Sequence, residues 1–117
     1  MIRLKLKHFS EAEELEVTDY GSTKTTIRWL VSREKEGAPR FAMRRFELKP
    51  EGQIGIHGHP QEHEIYILSG EGKVFTHFEK HEVKKDDVLY VPPDEPHGYE
   101  NTGKENLVFL CIIPYLD

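Results

Sequence analysis

Apolar and polar residues alternate with a period of two along most of this chain. Ile2, Leu4 and Leu6 interleave with Arg3, Lys5 and Lys7. Thr25 to Ser32, Phe41 to Leu48, His63 to Leu68, Lys73 to Phe78, Val88 to Val91 and Leu107 to Ile113 carry the same signal, rich in β-branched and aromatic side chains. Successive side chains of a strand point to opposite faces, so the pattern predicts strands with one buried face. Seven prolines, at 39, 50, 60, 92, 93, 96 and 114, fall between or at the ends of these segments and read as breaks. Gly21, Gly37, Gly52, Gly70 and Gly103 punctuate the chain in the same way. Short strands separated by turns predict an all-β sandwich or barrel.

Helix signals are scarce. Ser10-Glu11-Ala12-Glu13 has the spacing of a capping box, but no apolar run follows it. One turn at most is expected there. Residues 20–24 and 33–39 read as polar loops. Nothing repeats internally, and the 117 residues suit a single domain spanning 1–117.

Composition narrows the classes of function. With 21 acidic against 16 basic side chains the net charge is -5, which gives no global attraction for nucleic acid or an anionic membrane. Arg40, Arg44 and Arg45 gather locally, with acidic residues close by. No segment has the length of a bilayer span, and the first seven residues lack the apolar run of a signal peptide. The lone cysteine, Cys111, excludes an intrachain disulfide. A cytoplasmic address is the expectation. Only two Asn and two Gln accompany the many Lys and Glu, a bias of the hyperthermophile kind.

The chemistry lies in the histidines. Three of the seven fall within Ile56-His57-Gly58-His59-Pro60-Gln61-Glu62-His63-Glu64-Ile65-Tyr66-Ile67-Leu68. On a strand, positions i and i+2 share a face, so His57 and His59 project side by side. Pro60 breaks the strand, and His63 opens the next one, where a return of the chain brings its ring back to the first pair. His97 follows a strand end and the turn Pro92-Pro93-Asp94-Glu95-Pro96. A lone His-x-His is commonly just a surface pair. His-x-His-x3-His between two strands has no packing rationale, and four convergent imidazoles suit a borderline divalent transition metal.

At this point the sequence resembles the cupin superfamily. Gly52, His57, His59, His63 and Gly70 follow its first motif, over about 52–70, with one residue fewer between Gly52 and His57. Asp86, Pro92, Asp94, His97 and Asn101 follow its second, over about 86–101, with aspartates in place of two glycines. Asp tolerates positive φ better than most residues, so those turns can survive. The resemblance implies a double-stranded β-helix, or jelly-roll, barrel. It also implies one divalent metal ion on His57, His59, His63 and His97. His63 takes the place of the family's usual glutamate; Glu62 and Glu64 fit that place less well. The chain is similar to small four-histidine cupins, in which manganese or iron is common; zinc, nickel, cobalt and copper remain open. Such an all-histidine set is neutral and leaves two positions of an octahedral ion free.

Around that site, Phe109 and Cys111 are expected to line the barrel from the last strand, with Cys111 a pocket residue or, more commonly for a buried cysteine, a small hydrophobe. Arg44 shares parity with Ala42, Phe46 and Leu48; on an inner face it would anchor an anionic substrate or pair with a buried acid, and otherwise it is exposed or at a dimer contact. Trp29 and Tyr66 read as core or interface aromatics ahead of pocket ones, and His8, His77 and His81 as surface residues. No general base stands out. The functional expectation is a metal-dependent, dioxygenase-like oxidoreductase acting on a small organic molecule. The alternatives are a sugar or sugar-phosphate isomerase and a non-catalytic small-molecule binder. The strand Ile2 to Lys7 needs a sheet edge, and cupins often close such edges as homodimers.

Overall fold

The structure is a computed structural model and describes residues 4–117. Nine strands appear among them: β1 (Glu14–Glu16), β2 (Thr23–Val31), β3 (Phe41–His57), β4 (His63–Ser69), β5 (Glu71–Phe75), β6 (Lys80–Lys84), β7 (Val88–Val91), β8 (His97–Asn101) and β9 (Leu107–Pro114). One helical turn, α1 (Arg33–Glu36), follows β2. The sheet runs β6-β5-β8-β3-β9-β4-β7, with β2 added to β3 and β1 to β2. The fold is an all-β jelly-roll, its sheet curled into a half-barrel.

β3 explains the curl. Its first part, Phe41 to Leu48, pairs with β2 on one side and β9 on the other. Its last part, from Gln53, pairs with β8 instead. The strand changes partners at a corner built from Pro50, which has no N–H to give to a ladder, and Glu51, whose φ is 70°. Gly52 completes the corner: a Cβ there would stand 2.8 Å from the Lys49 carbonyl oxygen and 2.9 Å from that of Lys24. Pro50 therefore lies within β3, at its corner, and not between strands, whereas Pro114 ends β9.

The core follows the predicted parity. In β4, His63, Ile65 and Ile67 are buried while Glu64 and Tyr66 face solvent. On β3, Ala42, Phe46 and Leu48 are buried, so the face that Arg44 shares is the inner one. Phe109 and Cys111 on β9 join Phe46, Ile54, Ile65, Ile67, Tyr99 and Leu107 in one cluster. Each large apolar side chain so buried contributes roughly 1.5–3 kcal/mol. Asn101 is one of five buried polar residues, with Thr25, Ser32, His63 and His97, and its side-chain amide is hydrogen-bonded at both ends. Its Nδ2 donates to the carbonyls of Leu48 and Glu105 at 2.9 and 2.8 Å, and its Oδ1 accepts from Gly103 N–H at 2.9 Å. It thus ties the β3 corner to the turn before β9. Asp86 and Asp94 adopt φ of 72° and 64°, the left-handed geometry expected where the motif has glycine.

The structure differs from the sequence expectations in three local places. Leu4 to Lys7 form no strand, and Leu4 and Leu6 stand 100% and 98% exposed; Ile2 and Arg3 lie outside the described residues. Within a single chain this segment finds no sheet edge. The stretch 33–39 holds α1, capped by the Ser32 side chain accepting from Lys35 N–H and closed by Gly37 at φ 76°. The turn near residue 10 does form, at Phe9–Glu11, but its cap is His8. The Glu11 carboxylate accepts from His8 N–H at 2.9 Å, two residues ahead of the predicted register.

Candidate metal centre

The register of the sheet brings the two histidine motifs together. β3 and β8 pair His57 with His97 directly, after a bulge that follows Ile54. Their rings lie 4.7 Å apart between centroids. His59 sits past the end of β3, and His63 opens β4, so the 58–62 turn folds one ring onto the other. Their Nε2 atoms are 2.6 Å apart. His57, His59 and His97 each bring a ligand nitrogen within 4.8 Å of the others, and His63 joins through His59.

Ring tautomers follow from the outer partners. The Nδ1–H of His57 donates to the Gly55 carbonyl at 2.9 Å, and that of His97 to the Glu95 carbonyl at 2.8 Å. Each Nε2 therefore carries a lone pair, the form that binds a metal. The Nε2 of His97 is buried with no hydrogen-bond partner. His63 is different. Arg44 Nη2 lies 3.2 Å and Cys111 Sγ 2.9 Å from its Nδ1. A guanidinium only donates. With Nδ1 accepting, the His63 proton sits on Nε2 and points at His59. With Nδ1–H donated to the Cys111 sulfur, Nε2 becomes a ligand.

Burial disfavours the charged form of three of these rings. It pushes His63 down to about 2, with the Arg44 charge and the neighbouring histidines adding to the effect. Burial likewise lowers His97 to about 4 and lowers His59. Glu64 is exposed on the outer face, and Glu62 bonds to Tyr90, so neither carboxylate turns inward. His57, His59 and His97 bring three ligand nitrogens together, that of His97 buried without another partner, and such a donor set fits one borderline divalent ion; His63 is outside this group of three but touches it through His59.

His57, His59 and His63 line a cavity of about 340 Å³ whose walls include Trp29, Arg44, Phe46, Tyr99 and Cys111; His97 lies outside its lining. Trp29, read from sequence as core or interface, is a wall of this cavity, whereas Tyr66 points outward and bonds to Asp86. Phe109 does not line it. Its ring lies 5.2 Å from that of Phe46 and 5.0 Å from that of Tyr99, so it supports the wall from behind. His77 and His81 are exposed. Tyr20 is a site residue that the sequence reading placed in a loop. Its ring stacks on His57 at 4.3 Å and 10°, from a backbone at φ 56°. Any side chain at Gly55 would collide with the Tyr20 carbonyl, so Gly55 permits that approach. The adjacent Gly21 is the one local signal of this turn.

Cupin domain is the family description whose model matches residues 44–113, more than half of the chain. The chain belongs to the cupin family. Among curated relatives, this cupin is 34% identical over 94 residues to a Thermotoga maritima protein called an oxalate-binding protein, covering 80% of this chain and 78% of the other. Among solved structures it is similar to the polyketide cyclase RemF from Streptomyces resistomycificus. The TM-score is 0.88 at 31% identity, over 96% of this chain and 80% of that one. A predicted oxalate decarboxylase from Thermotoga maritima gives a TM-score of 0.84 at 28% identity, over 96% of this cupin and all of the other. No helix among the described residues is long and apolar enough to cross a membrane.

Proposed function

We propose that this cupin is a metal-dependent oxidoreductase of the dioxygenase type that acts on a small organic molecule, with one divalent manganese or iron ion on His57, His59, His63 and His97. The observation that supports the reading is the meeting of the histidines beside a small cavity: ligand nitrogens of His57, His59 and His97 lie within 4.8 Å of one another, and His63 Nε2 stands 2.6 Å from that of His59. A bound ion of this kind supplies Lewis acidity and one-electron chemistry. The protein's part is positional. Gly55 and Glu95 carbonyls fix the tautomers of His57 and His97. Trp29, Phe46 and Ile54 give the cavity an apolar wall. Glu16 and Asp19 are the carboxylates lining the cavity, both exposed. This supports chemistry centred on the ion over a carboxylate pair.

A second reading, a non-catalytic binder of a small molecule, is favoured by the name of the 34% identical relative. Metal analysis of protein purified without a histidine tag, followed by oxygen-uptake assays with small organic substrates, tests both. Bound manganese or iron with substrate-dependent oxygen consumption is the expected result. Saturable ligand binding with no oxygen consumption favours the binder, and a protein that holds no divalent ion defeats the metal-centre reading altogether.

A further inference from the structure

Arg44 is the only Arg or Lys among the residues that line the metal pocket. Its guanidinium carbon lies within cation–π reach of two aromatic rings, 5.0 Å from the Phe46 centroid and 5.5 Å from that of Trp29. Its Nη2 donates to Cys111 Sγ at 3.0 Å and reaches His63 Nδ1 at 3.2 Å. Its Nε is buried and has no partner. No carboxylate among the described residues lies within ion-pair distance of it, although Arg28, Arg33 and Arg45 each have one. The free charge lies inside the cavity and beside a candidate ligand.

A cation withdrawn from water without a counter-charge is costly, and its donors keep a strong demand for an anion. The histidine set sharpens that demand. Four neutral imidazoles leave the full charge of a divalent ion in place, and Arg44 adds one more positive charge. Two carboxylates, Glu16 and Asp19, line the cavity, but both are exposed and neither forms an ion pair with Arg44, while Glu64 is exposed on the outer face. The walls are apolar and aromatic, from Leu15, Ile27, Trp29, Phe46 and Ile54. At about 340 Å³ the cavity lies at the small end of ligand pockets. A planar guanidinium fork matches a carboxylate or a phosphate, and the apolar walls disfavour a fully hydrated inorganic ion, which favours an organic carboxylate.

We propose that Arg44 makes this pocket selective for small organic carboxylates, with the carboxylate on the guanidinium and the carbon body against Trp29 and Phe46. The proposal builds on the metal-centre reading, but Arg44 can be tested apart from it. Trp29 is the only tryptophan of the chain and lies against the guanidinium, so its fluorescence reports on occupancy.

The probes are acetate, pyruvate and phenylacetate, each against its neutral amide, with inorganic phosphate as a further anion. Titrations followed by Trp29 fluorescence and by calorimetry use wild type, Arg44→Lys and Arg44→Gln, both metal-free and loaded with manganese. Metal content is measured on every sample. Carboxylates should bind the wild type at least tenfold more tightly than their amides and more tightly than phosphate. Arg44→Gln should weaken carboxylate binding by about 10- to 100-fold, the scale of one charge-assisted hydrogen bond, in the metal-free protein as well as the manganese-loaded one. Arg44→Lys should recover part of that loss. Amides binding as well as carboxylates would overturn the proposal, as would phosphate binding better, no carboxylate binding in either form, or carboxylates binding Arg44→Gln like wild type. If Arg44→Gln does not fold, the comparison of carboxylate with amide on wild type and Arg44→Lys decides the matter. A wild type that takes up no metal removes the metal-centre reading alone, and the metal-free titrations still judge Arg44.

Discussion

Arg44 and Cys111 are direct partners across β3 and β9, and the guanidinium Nη2 stands 3.0 Å from the Cys111 sulfur. Both groups meet Nδ1 of His63, which descends from β4 on the other side of β9. Three neighbouring strands thus bring a cation, a thiol and an imidazole into one contact. The outcome for the thiol depends on which influence is larger. Burial raises the Cys111 pKa and outweighs the opposing pull of Arg44. At neutral pH the native thiol should therefore be protonated and slow to react, since the thiolate is the nucleophile. Timed modification with a disulfide reagent should show sluggish reaction in native protein and fast reaction in denaturant. Rapid native modification would show that Arg44 prevails.

The four histidines make unequal predictions. His97→Ala removes a buried ligand whose Nε2 has no other partner, and should cost more metal affinity than the 10–100-fold typical of outer-shell changes. His63→Ala should also weaken binding, while His63→Glu should retain metal, since a carboxylate oxygen can replace an imidazole. Glu64→Gln, on the exposed face, should leave metal content at the wild-type level. Metal analysis after dialysis against a graded chelator series checks all four. Loss of metal in Glu64→Gln with retention in His63→Ala would reverse the ligand assignment.

Stability should fall in acid. His97 and His63 titrate at about 4 and about 2 in the folded chain, lowered by burial, against an ordinary value near 6.5. Between those values the unfolded chain binds more protons, so stability is fully present above pH ~6.5 and declines below it. Each ring contributes a slope of about 1.4 kcal/mol per pH unit until its folded-state value is reached. Denaturation of metal-free protein from pH 7.5 to 4.5 should show this decline, and His97→Gln should flatten it. A stability independent of pH over that range would contradict the buried neutral rings.

Asn101 is predicted to act through the fold and not through the metal. Asn101→Ala strips partners from the Leu48 and Glu105 carbonyls and from Gly103 N–H. A loss of about 2–4 kcal/mol is expected, because the polar groups left behind are buried. Urea denaturation measures it. The metal content of the folded fraction should match wild type, and a selective loss of metal with stability intact would place Asn101 in the site.

We propose that the chain pairs with a second copy through its N-terminal segment. Leu4 and Leu6 are fully exposed in the single chain, and β7 at the end of the sheet presents Val88 and Tyr90 at 72% and 54% exposure. An apolar arm and an open edge strand both favour pairing. Light scattering should give twice the 13.7 kDa chain mass, and Leu4→Asp with Leu6→Asp should shift it toward the monomer. A monomer mass for wild type across a wide concentration range would refute the pairing.

Much of this protein is written locally. The two-residue period is a short-range property, so β4, β7 and β9 begin where the alternation places them, and His57, His59 and His63 stand out by spacing alone. β1, β6 and β8 left weaker traces. β6 buries only Val83 on one face, and β8 carries Gly98 and Glu100 among its five residues, so neither shows the alternation of a half-buried strand. α1 has its signals in Ser32 and Gly37, but it is too short to develop an apolar stripe. What no local pattern contains is how the sheet closes. The corner at Pro50-Glu51-Gly52 sends β3 from β9 to β8, and only that turn sets His57 opposite His97. The same curl puts Arg44 beside His63, Trp29 in the wall and Tyr20 over His57. Those meetings depend on register and curvature between strands far apart in sequence, and such pairings are set by the packing of the whole barrel.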